Sequence, residues 1–308
     1  MAGPSAPDYI RYLAAKKSLD DRSLNRGVWD HLTQAVRQRP QAAPLKVLEV
    51  GCGTGAMAER LLDWGLLTRA TYTGIDLEVE FIREARRRLQ DYGAGENSAM
   101  AAPVGAPLIL KTADLDVHVS FEAADLFDFL DQNQGKSSWD LLIAHAFLDL
   151  IDLPAALPRL LSLLSPGGLF YFTLNFDGAT ILEPVIDPEL DRRIETLYHR
   201  TMDDRRRGGR PAGSSVTGRR LLAGLGRAGA RLLAAGSSDW VVFPGPEGYP
   251  GDEAYFLHYI IDTIGGALRR HPELEAGRLQ NWLELRHRQI EAAELVYIAH
   301  QLDVLGYI

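Results

Sequence analysis

Three glycines and an acidic residue are concentrated in residues 48–57, which read LEVGCGTGAM. Gly51, Gly53 and Gly55 allow the backbone to approach a ligand closely, and the helix predicted to follow would present free N–H groups at its start. Glu49 lies two residues before the first glycine, at the end of a short apolar strand. A carboxylate there suits a cationic ligand better than a diphosphate. The stretch therefore predicts a nucleotide-binding turn.

A second acidic residue, Asp76, ends the next predicted strand, residues 71–75. An acid at this point, about 20 residues beyond the glycines, accepts hydrogen bonds from ribose hydroxyls. NAD enzymes use the same arrangement, and Gly51, Gly53 and Ala56 also fit their dinucleotide fingerprint. The two motifs therefore predict a bound nucleoside, and an NAD-dependent oxidoreductase remains an alternative.

These motifs resemble those of the class I S-adenosylmethionine-dependent methyltransferases, whose first motif is an acid followed by alternating glycines. Residues 121–126, FEAADL, resemble the adenine-recognition motif of the same family, with helix N-capping by Asp125 as the alternative. The resemblance implies S-adenosyl-L-methionine as cofactor. The cofactor-binding residues that it implies are Glu49, Gly51, Cys52, Gly53, Gly55, Asp76, Leu77, Asp125, Leu126 and Ala144.

A buried strand over residues 139–144 ends in His145. Ligands of open α/β sheets bind beyond the carboxyl ends of the strands, and methyl transfer to a hydroxyl requires a proton acceptor. His145 is therefore the predicted catalytic residue, with a structural histidine as the alternative. The predicted substrate-binding residues, which favour an aromatic or apolar small-molecule acceptor, are Tyr9, Tyr12, Phe147, Asn175, Tyr198, Tyr255, His258 and Tyr259. We predict no metal site, and we favour O-methylation over N- or C-methylation.

The order of predicted elements indicates an α/β fold with a doubly wound, seven-stranded mixed sheet whose last strand, residues 295–302, is antiparallel. We predict an N-terminal helical arm over residues 1–44 and a Rossmann-like methyltransferase domain over 45–308. Helical cap insertions are predicted at about 178–216 and 244–292. The charged segment 16–22 is expected to lie outside the core. The arginine run at 205–210 predicts a mobile loop, with a grip on an anionic substrate as the alternative.

Composition limits the possible partners. The 308 residues carry a formal net charge of −8, which argues against general binding to nucleic acid or to an anionic membrane. We find no basic and apolar leader and no apolar run long enough to span a membrane, so we expect a cytoplasmic protein. The single cysteine, Cys52, is interpreted as a small residue that fits the turn. The oligomeric state stays open.

Two further functions remain alternatives to methyl transfer. A protein that binds the cofactor without catalysis would keep the same motifs and turn over no acceptor. An aminopropyl transferase would need an acid-rich amine site, which we cannot identify in the sequence.

Overall fold

The structure is a computed structural model that describes residues 6–40, 42–95, 106–136 and 138–308. Eleven strands are present in these ranges: β1 (Leu45–Val50), β2 (Arg69–Asp76), β3 (Leu108–Lys111), β4 (Asp116–Ala123), β5 (Trp139–His145), β6 (Leu164–Glu183), β7 (Arg206–Arg207), β8 (Arg210–Pro211), β9 (Arg231–Ser237), β10 (Trp240–Val242) and β11 (Val296–Tyr307).

The same ranges contain eleven α-helices. They are α1 (Ala6–Ala15), α2 (Lys17–Ser23), α3 (Arg26–Arg37), α4 (Ala56–Asp63), α5 (Val79–Gly95), α6 (Leu126–Gln132), α7 (Leu153–Leu161), α8 (Pro188–Asp203), α9 (Thr217–Arg227), α10 (Glu253–Leu268) and α11 (Ala276–Glu291). A short 3-10 helix, Leu148–Leu150, follows β5. Residues 92–106 are rich in glycine, alanine and proline, a composition that predicts a surface loop, but α5 continues into this stretch as far as Gly95. The rest of that stretch, up to residue 105, lies outside the described residues.

The main sheet has the strand order β10-β11-β6-β5-β1-β2-β4-β3. Its centre is parallel, because helices return the chain between β1, β2, β4, β5 and β6. Strand β11 pairs antiparallel with β6, so the prediction of an antiparallel last strand in a mixed, doubly wound sheet is confirmed.

The predicted number of seven strands is wrong, because the sheet described here has nine. Strand β3 adds an antiparallel edge next to β4. At the other edge, β11 is 12 residues long and pairs in succession with β10 and then with β9. Strand β11 is therefore long enough to pair with both β9 and β10. The sequence does not indicate that these are two separate partners of one strand.

Helices cover both faces of the sheet. One apolar cluster joins α3, α4 and α5 to one face, and another joins α6, α7 and α9 to the opposite face. A third cluster is formed by α1, α2, α8, α10 and α11, and we call these five helices the cap. The cap helices enter the chain at the N-terminus, between β6 and β9, and between β10 and β11.

The predicted arm of residues 1–44 packs in two places. Tyr12 of α1 and Leu19 of α2 belong to the cluster formed by the cap helices. Trp29 and Leu32 of α3 belong to the cluster that joins α3, α4 and α5 to the sheet. Asn25 begins α3, and its side chain accepts a hydrogen bond from Val28 N at 3.0 Å. Strand β6 also continues to residue 183, and so occupies the start of the predicted insertion at 178–216. The domain limits themselves stay a prediction.

None of the helices in the described part of the chain combines the length and the apolar composition that crossing a membrane requires.

We expect Leu32→Ala to destabilise the whole sheet domain, because Leu32 is fully buried between α3 and the sheet. Truncating a buried leucine costs about 2–5 kcal/mol in the free energy of unfolding. The control Gln34→Ala changes an exposed position of the same helix and should cost less than about 0.5 kcal/mol. Equal denaturation midpoints for the two variants would show that α3 is not part of the sheet core.

Candidate functional site

A cavity of about 1020 Å³ lies at the carboxyl ends of the parallel strands, between the sheet and the cap. One side is formed by the loops after β1, β2 and β4, and the other by α1, α8, α10 and β11. This is the position at which open α/β sheets bind ligands.

The glycine turn packs closely against the residues around it. Gly51, Gly53 and Gly55 have φ angles of 68°, 51° and 79°, a region that side chains disfavour. A Cβ atom at Gly51 would lie 2.1 Å from the Phe147 ring. Because no larger residue fits, the backbone of the turn can form one wall of the cavity.

Asp76 is fixed at the rim of the cavity by two backbone bonds. Its Oδ2 accepts from Gly53 N at 3.0 Å, and its Oδ1 accepts from Glu78 N at 3.0 Å. Each carboxylate oxygen has a further lone pair. Asp76 can therefore hold the glycine turn and accept from two hydroxyl groups of a ligand at the same time.

Glu49 is buried at the base of the cavity and accepts a hydrogen bond from the Tyr72 hydroxyl. Burial raises the pKa of Glu49 to about 8, against the opposing effects of Tyr72 and Arg60. A cationic group at this end of the cavity would favour the ionised form. The glycine cradle, the fixed Asp76 and the buried Glu49 together fit a nucleoside that carries a cationic amino acid group.

Asp125 begins α6, as the alternative interpretation of this residue proposes. Its Oδ1 accepts from Phe127 N at 2.8 Å and from Asp128 N at 3.3 Å. Asp125, Leu126, Leu77 and Cys52 all line the cavity, so capping and ligand contact are compatible.

Two of the predicted cofactor residues do not line the cavity. Gly55 is the N-cap of α4 and faces Ala85 and Phe121, and Ala144 is fully buried within β5. Gly55 and Ala144 therefore contribute to the backbone beside the cavity. Their neighbours Thr54, Ala56 and Ala146 line it.

His145 is held by hydrogen bonds at both ring nitrogens. Its Nδ1 lies 2.8 Å from Thr173 Oγ1, and its Nε2 lies 3.3 Å from Asp20 Oδ2 and 3.5 Å from Arg60 Nη1. Burial lowers the pKa of His145 to about 4, although Asp20 opposes this shift. The imidazole is therefore neutral at pH 7 and is a weak base. The catalytic role of His145 stays a prediction.

The expectation that segment 16–22 lies outside the core is wrong for Lys16, Leu19 and Asp20, which are buried. Lys16 Nζ donates to Asp20 Oδ2 at 2.5 Å, and Trp240 Nε1 donates to Asp20 Oδ1 at 2.9 Å. Burial opposes ionisation, but Lys16 and His145 hold the pKa of Asp20 well below its ordinary value. Charges can be buried here because each one has partners, which a sequence does not reveal.

The predicted substrate residues fall into two groups. Tyr9, Tyr12, Phe147 and Tyr198 line the cavity, whereas Asn175, Tyr255, His258 and Tyr259 do not. Tyr259 stacks behind Tyr12 with ring centroids 4.3 Å apart. The other three are engaged elsewhere: Asn175 Nδ2 donates to Leu302 O at 2.8 Å, Tyr255 packs under Arg11, and His258 Nδ1 lies 2.7 Å from His287 Nδ1.

Several cavity residues are absent from the sequence prediction. They are Asp149, Met202, Trp240, Ile260, Tyr297 and Gln301. The alternation of β11 could have indicated Tyr297, Ala299 and Gln301, because alternate residues of a strand share one face. Asp149 follows the same strand end as His145 and Phe147, but the sequence does not indicate that a 3-10 helix places it in the cavity lining.

The arginine run forms a hairpin at the mouth of the cavity, with β7 and β8 joined through Gly208 and Gly209. Arg207 lies 3.7 Å from Glu78, and the Arg210 guanidinium lies 4.5 Å from the centre of the Phe127 ring. The hairpin therefore contacts the segments that follow Asp76 and Asp125.

Comparisons with known proteins agree with this geometry. Residues 48–170 match the model of a family described as "Methyltransferase domain". The ubiquinone biosynthesis O-methyltransferase of Xanthomonas euvesicatoria pv. vesicatoria is 29% identical over 161 residues, which is 52% of this chain and 55% of that protein. The enzyme of the same name from Thiobacillus denitrificans is 28% identical over 156 residues, or 50% of this chain and 55% of that protein. The chain thus spans about half the length of the curated relatives that it matches.

Among solved structures, a S-adenosylmethionine-dependent methyltransferase from Thiobacillus denitrificans in complex with S-adenosyl-L-homocysteine superposes with a TM-score of 0.41 at 15% identity. The superposition covers 91% of this chain and 92% of that one.

The fold is that of a mixed α/β protein, and the site is a cavity at the carboxyl ends of its parallel strands. Residues 48–170 match a family of methyltransferase domains, and the motifs that they contain resemble those of the class I S-adenosylmethionine-dependent methyltransferases. The cofactor of this family is S-adenosyl-L-methionine.

We expect Asp76→Ala to weaken the binding of S-adenosylhomocysteine by roughly tenfold to a hundredfold, because a hydrogen bond to a charged group contributes about 1.5–3 kcal/mol. Calorimetry measures the dissociation constant directly. The control Asp128→Ala removes an exposed carboxylate at the mouth of the same cavity and should change it by less than about threefold. An unchanged constant in a folded Asp76→Ala variant would exclude Asp76 from the site.

We expect the affinity for S-adenosylhomocysteine to rise with pH and to level off above about 8, the pKa to which burial raises Glu49 in the free protein. A cationic group beside Glu49 lowers this pKa in the complex, so binding releases a proton below pH 8 and gains up to about tenfold per pH unit. Calorimetry at pH 6, 7 and 8 measures the slope. Glu49→Gln should abolish it, and an equal slope in that variant would assign the proton to another group.

Proposed function

We propose that this protein transfers a methyl group from S-adenosylmethionine to a small aromatic or apolar molecule, with oxygen as the atom that is methylated. The single observation that carries the proposal is the two-sided cavity. Its sheet side contains Glu49, the glycine turn and Asp76, and its cap side is lined by aromatic residues.

The cap side supports the acceptor class. Tyr12, Phe176, Trp240 and Tyr297 are all buried or nearly so, and each of them lines the cavity. Aromatic and apolar walls bind flat or apolar ligands through buried area, while a few polar groups set their orientation. An acceptor much larger than the cavity of about 1020 Å³ would not fit beside a cofactor.

The chemistry needs little more than positioning. When bound, the cofactor supplies a methyl group on a positively charged sulfur. On the sheet side, Asp76 and the glycine turn orient the nucleoside. On the cap side, the aromatic walls place the acceptor in line and exclude water, and both effects lower the barrier to displacement.

We propose His145 as a positioning residue in this site. Its ring bridges Thr173 of β6 and Asp20 of α2, and so fixes a cap helix against the sheet. A base would need a free nitrogen and a pKa closer to the working pH. The neutral ring at this place keeps the cavity shaped without adding a charge.

We expect the protein to release S-adenosylhomocysteine from methyl-labelled S-adenosylmethionine when a cell extract supplies the acceptor, and mass spectrometry then identifies the labelled product. Asp76→Ala is the control that separates enzyme-catalysed transfer from background. Binding of the cofactor without any labelled product would support a non-catalytic binding protein instead.

The dinucleotide alternative is tested by thermal melting. NAD at millimolar concentration should leave the melting temperature unchanged, and S-adenosylhomocysteine should raise it. The reverse result would favour the NAD-dependent oxidoreductase.

A further inference from the structure

Asp149 is placed in the cavity by an unusual backbone path after β5. Ala146 has a φ angle of 49°, a left-handed conformation that turns the chain, and the 3-10 helix Leu148–Leu150 follows. Leu148 is fully buried in the apolar cluster that joins α6, α7 and α9 to the sheet, and it anchors this turn. Asp149 itself lines the cavity. A positive φ at a non-glycine residue costs free energy and is characteristic of functional sites.

The Asp149 carboxylate differs from the other acidic groups of the cavity. Asp76, Asp125 and Asp20 accept hydrogen bonds from the protein, and Glu49 accepts one from Tyr72. Asp149 Oδ1 is shielded from solvent and has no hydrogen-bond partner in the structure. Of the carboxylates that the structure describes, it is the only one with such an oxygen. A shielded acceptor without a partner is costly unless a ligand supplies the donor.

The surroundings of Asp149 place it between the two sides of the cavity. Tyr9 is close enough to be affected by the charges of both Asp76 and Asp149. Tyr198 of α8 is affected by Asp149 as well. Asp149, Asp76, Tyr9 and Tyr198 all line the same cavity, so the carboxylate of Asp149 shares this space with Asp76 of the sheet side and with aromatic residues of the cap side.

The charges that face Asp149 allow it to exchange a proton near neutral pH. Burial raises its pKa to about 6, while its own backbone N–H group, Arg205 and Lys16 limit the rise. The titratable and charged groups around it come from three elements: Tyr9 of α1, Lys16 next to α2, and Tyr198 with Arg205 at and beyond the end of α8. The carboxyl group is therefore largely ionised at pH 7 and ready to accept a proton.

We propose that Asp149 binds the hydroxyl group of the acceptor and takes its proton, which makes a phenol the acceptor class. This proposal rests on the proposed function. The acceptor oxygen gives its proton to Asp149 Oδ1 and forms a bond to the methyl carbon. The bond from that carbon to sulfur breaks, and its electron pair stays on sulfur, which becomes neutral. The proton then leaves Asp149 to solvent.

Asp149→Asn tests the proposal, because the amide keeps the size of the side chain and cannot take the proton. Release of S-adenosylhomocysteine is measured with phenol, catechol and 4-hydroxybenzoate, with aniline and thiophenol as probes of other acceptor atoms. The labelled product from the cell extract identifies one further acceptor. We expect transfer to a hydroxyl group in the wild-type protein, and a loss of roughly 10² to 10⁴ in kcat in Asp149→Asn. The affinity for S-adenosylhomocysteine should stay within about threefold, which shows that the variant is folded.

The pH dependence of kcat distinguishes Asp149 from His145 as the residue that takes the proton. In the wild-type protein, kcat should rise with pH through about 6 and then level off, because the ionised carboxylate is the active form. The rise of kcat through about pH 6 should be absent in Asp149→Asn and present in Asp149→Glu. His145→Ala should retain it too, with a reduced kcat.

Three results would overturn the role of Asp149. They are a wild-type kcat in Asp149→Asn, a rise of kcat through about pH 6 in that variant, and the absence of this rise in His145→Ala. Transfer only to nitrogen, sulfur or carbon would also overturn it and leave the proposed function intact. A protein that transfers to no probe and labels no product in the extract would instead contradict the proposed function.

Discussion

The buried carboxylate of Asp20 is the interaction on which the architecture of the site depends. It lies in α2 of the cap, and it accepts from Lys16, from Trp240 of β10 and from His145 of β5. A buried charge is stable only while its partners remain in place, and removing one partner of a buried ion pair typically costs about 3–5 kcal/mol. The network therefore sets the position of the N-terminal cap helices relative to the carboxyl end of the sheet. Together with the ion pair of Arg60 and Asp21, at 2.6 Å, it holds the cap helices against the sheet next to the glycine turn.

The acidic groups of the cavity are differentiated by their surroundings. Asp76 is held by backbone N–H groups, Glu49 is buried against Tyr72, and Asp149 retains an oxygen without a partner. Three residues with the same functional group can thus serve three purposes. Backbone donors keep a carboxylate in place, burial keeps it neutral until a cation is present, and an unpaired oxygen remains available to a ligand.

Much of the sheet side of the site could be predicted from the sequence. Glycines that need positive φ, an acid that ends a strand and continuous apolar strands are local features, and the structure contains them at Gly51, Asp76 and β5. The cap side was harder to predict. Tyr255 and His258 lie on an amphipathic helix, and the sequence does not tell which of its faces meets the cavity. Helix α10 turns Ile260 toward the cavity, while His258 pairs with His287 of α11.

The sequence by itself determined the fold class, the glycine turn and the acidic residues beside it, because the backbone conformation and the strand ends follow from residues that are close along the chain. Only the tertiary structure decided that Lys16 and Asp20 are buried, that β11 pairs with two short strands, and that Asp149 lines the cavity and has a shielded oxygen without a partner. Each of these depends on groups that are distant in sequence, such as Asp20 with Trp240 or Tyr9 with Asp149. Burial and charge act through space, so their effect on a residue is set by which elements the fold brings together around it.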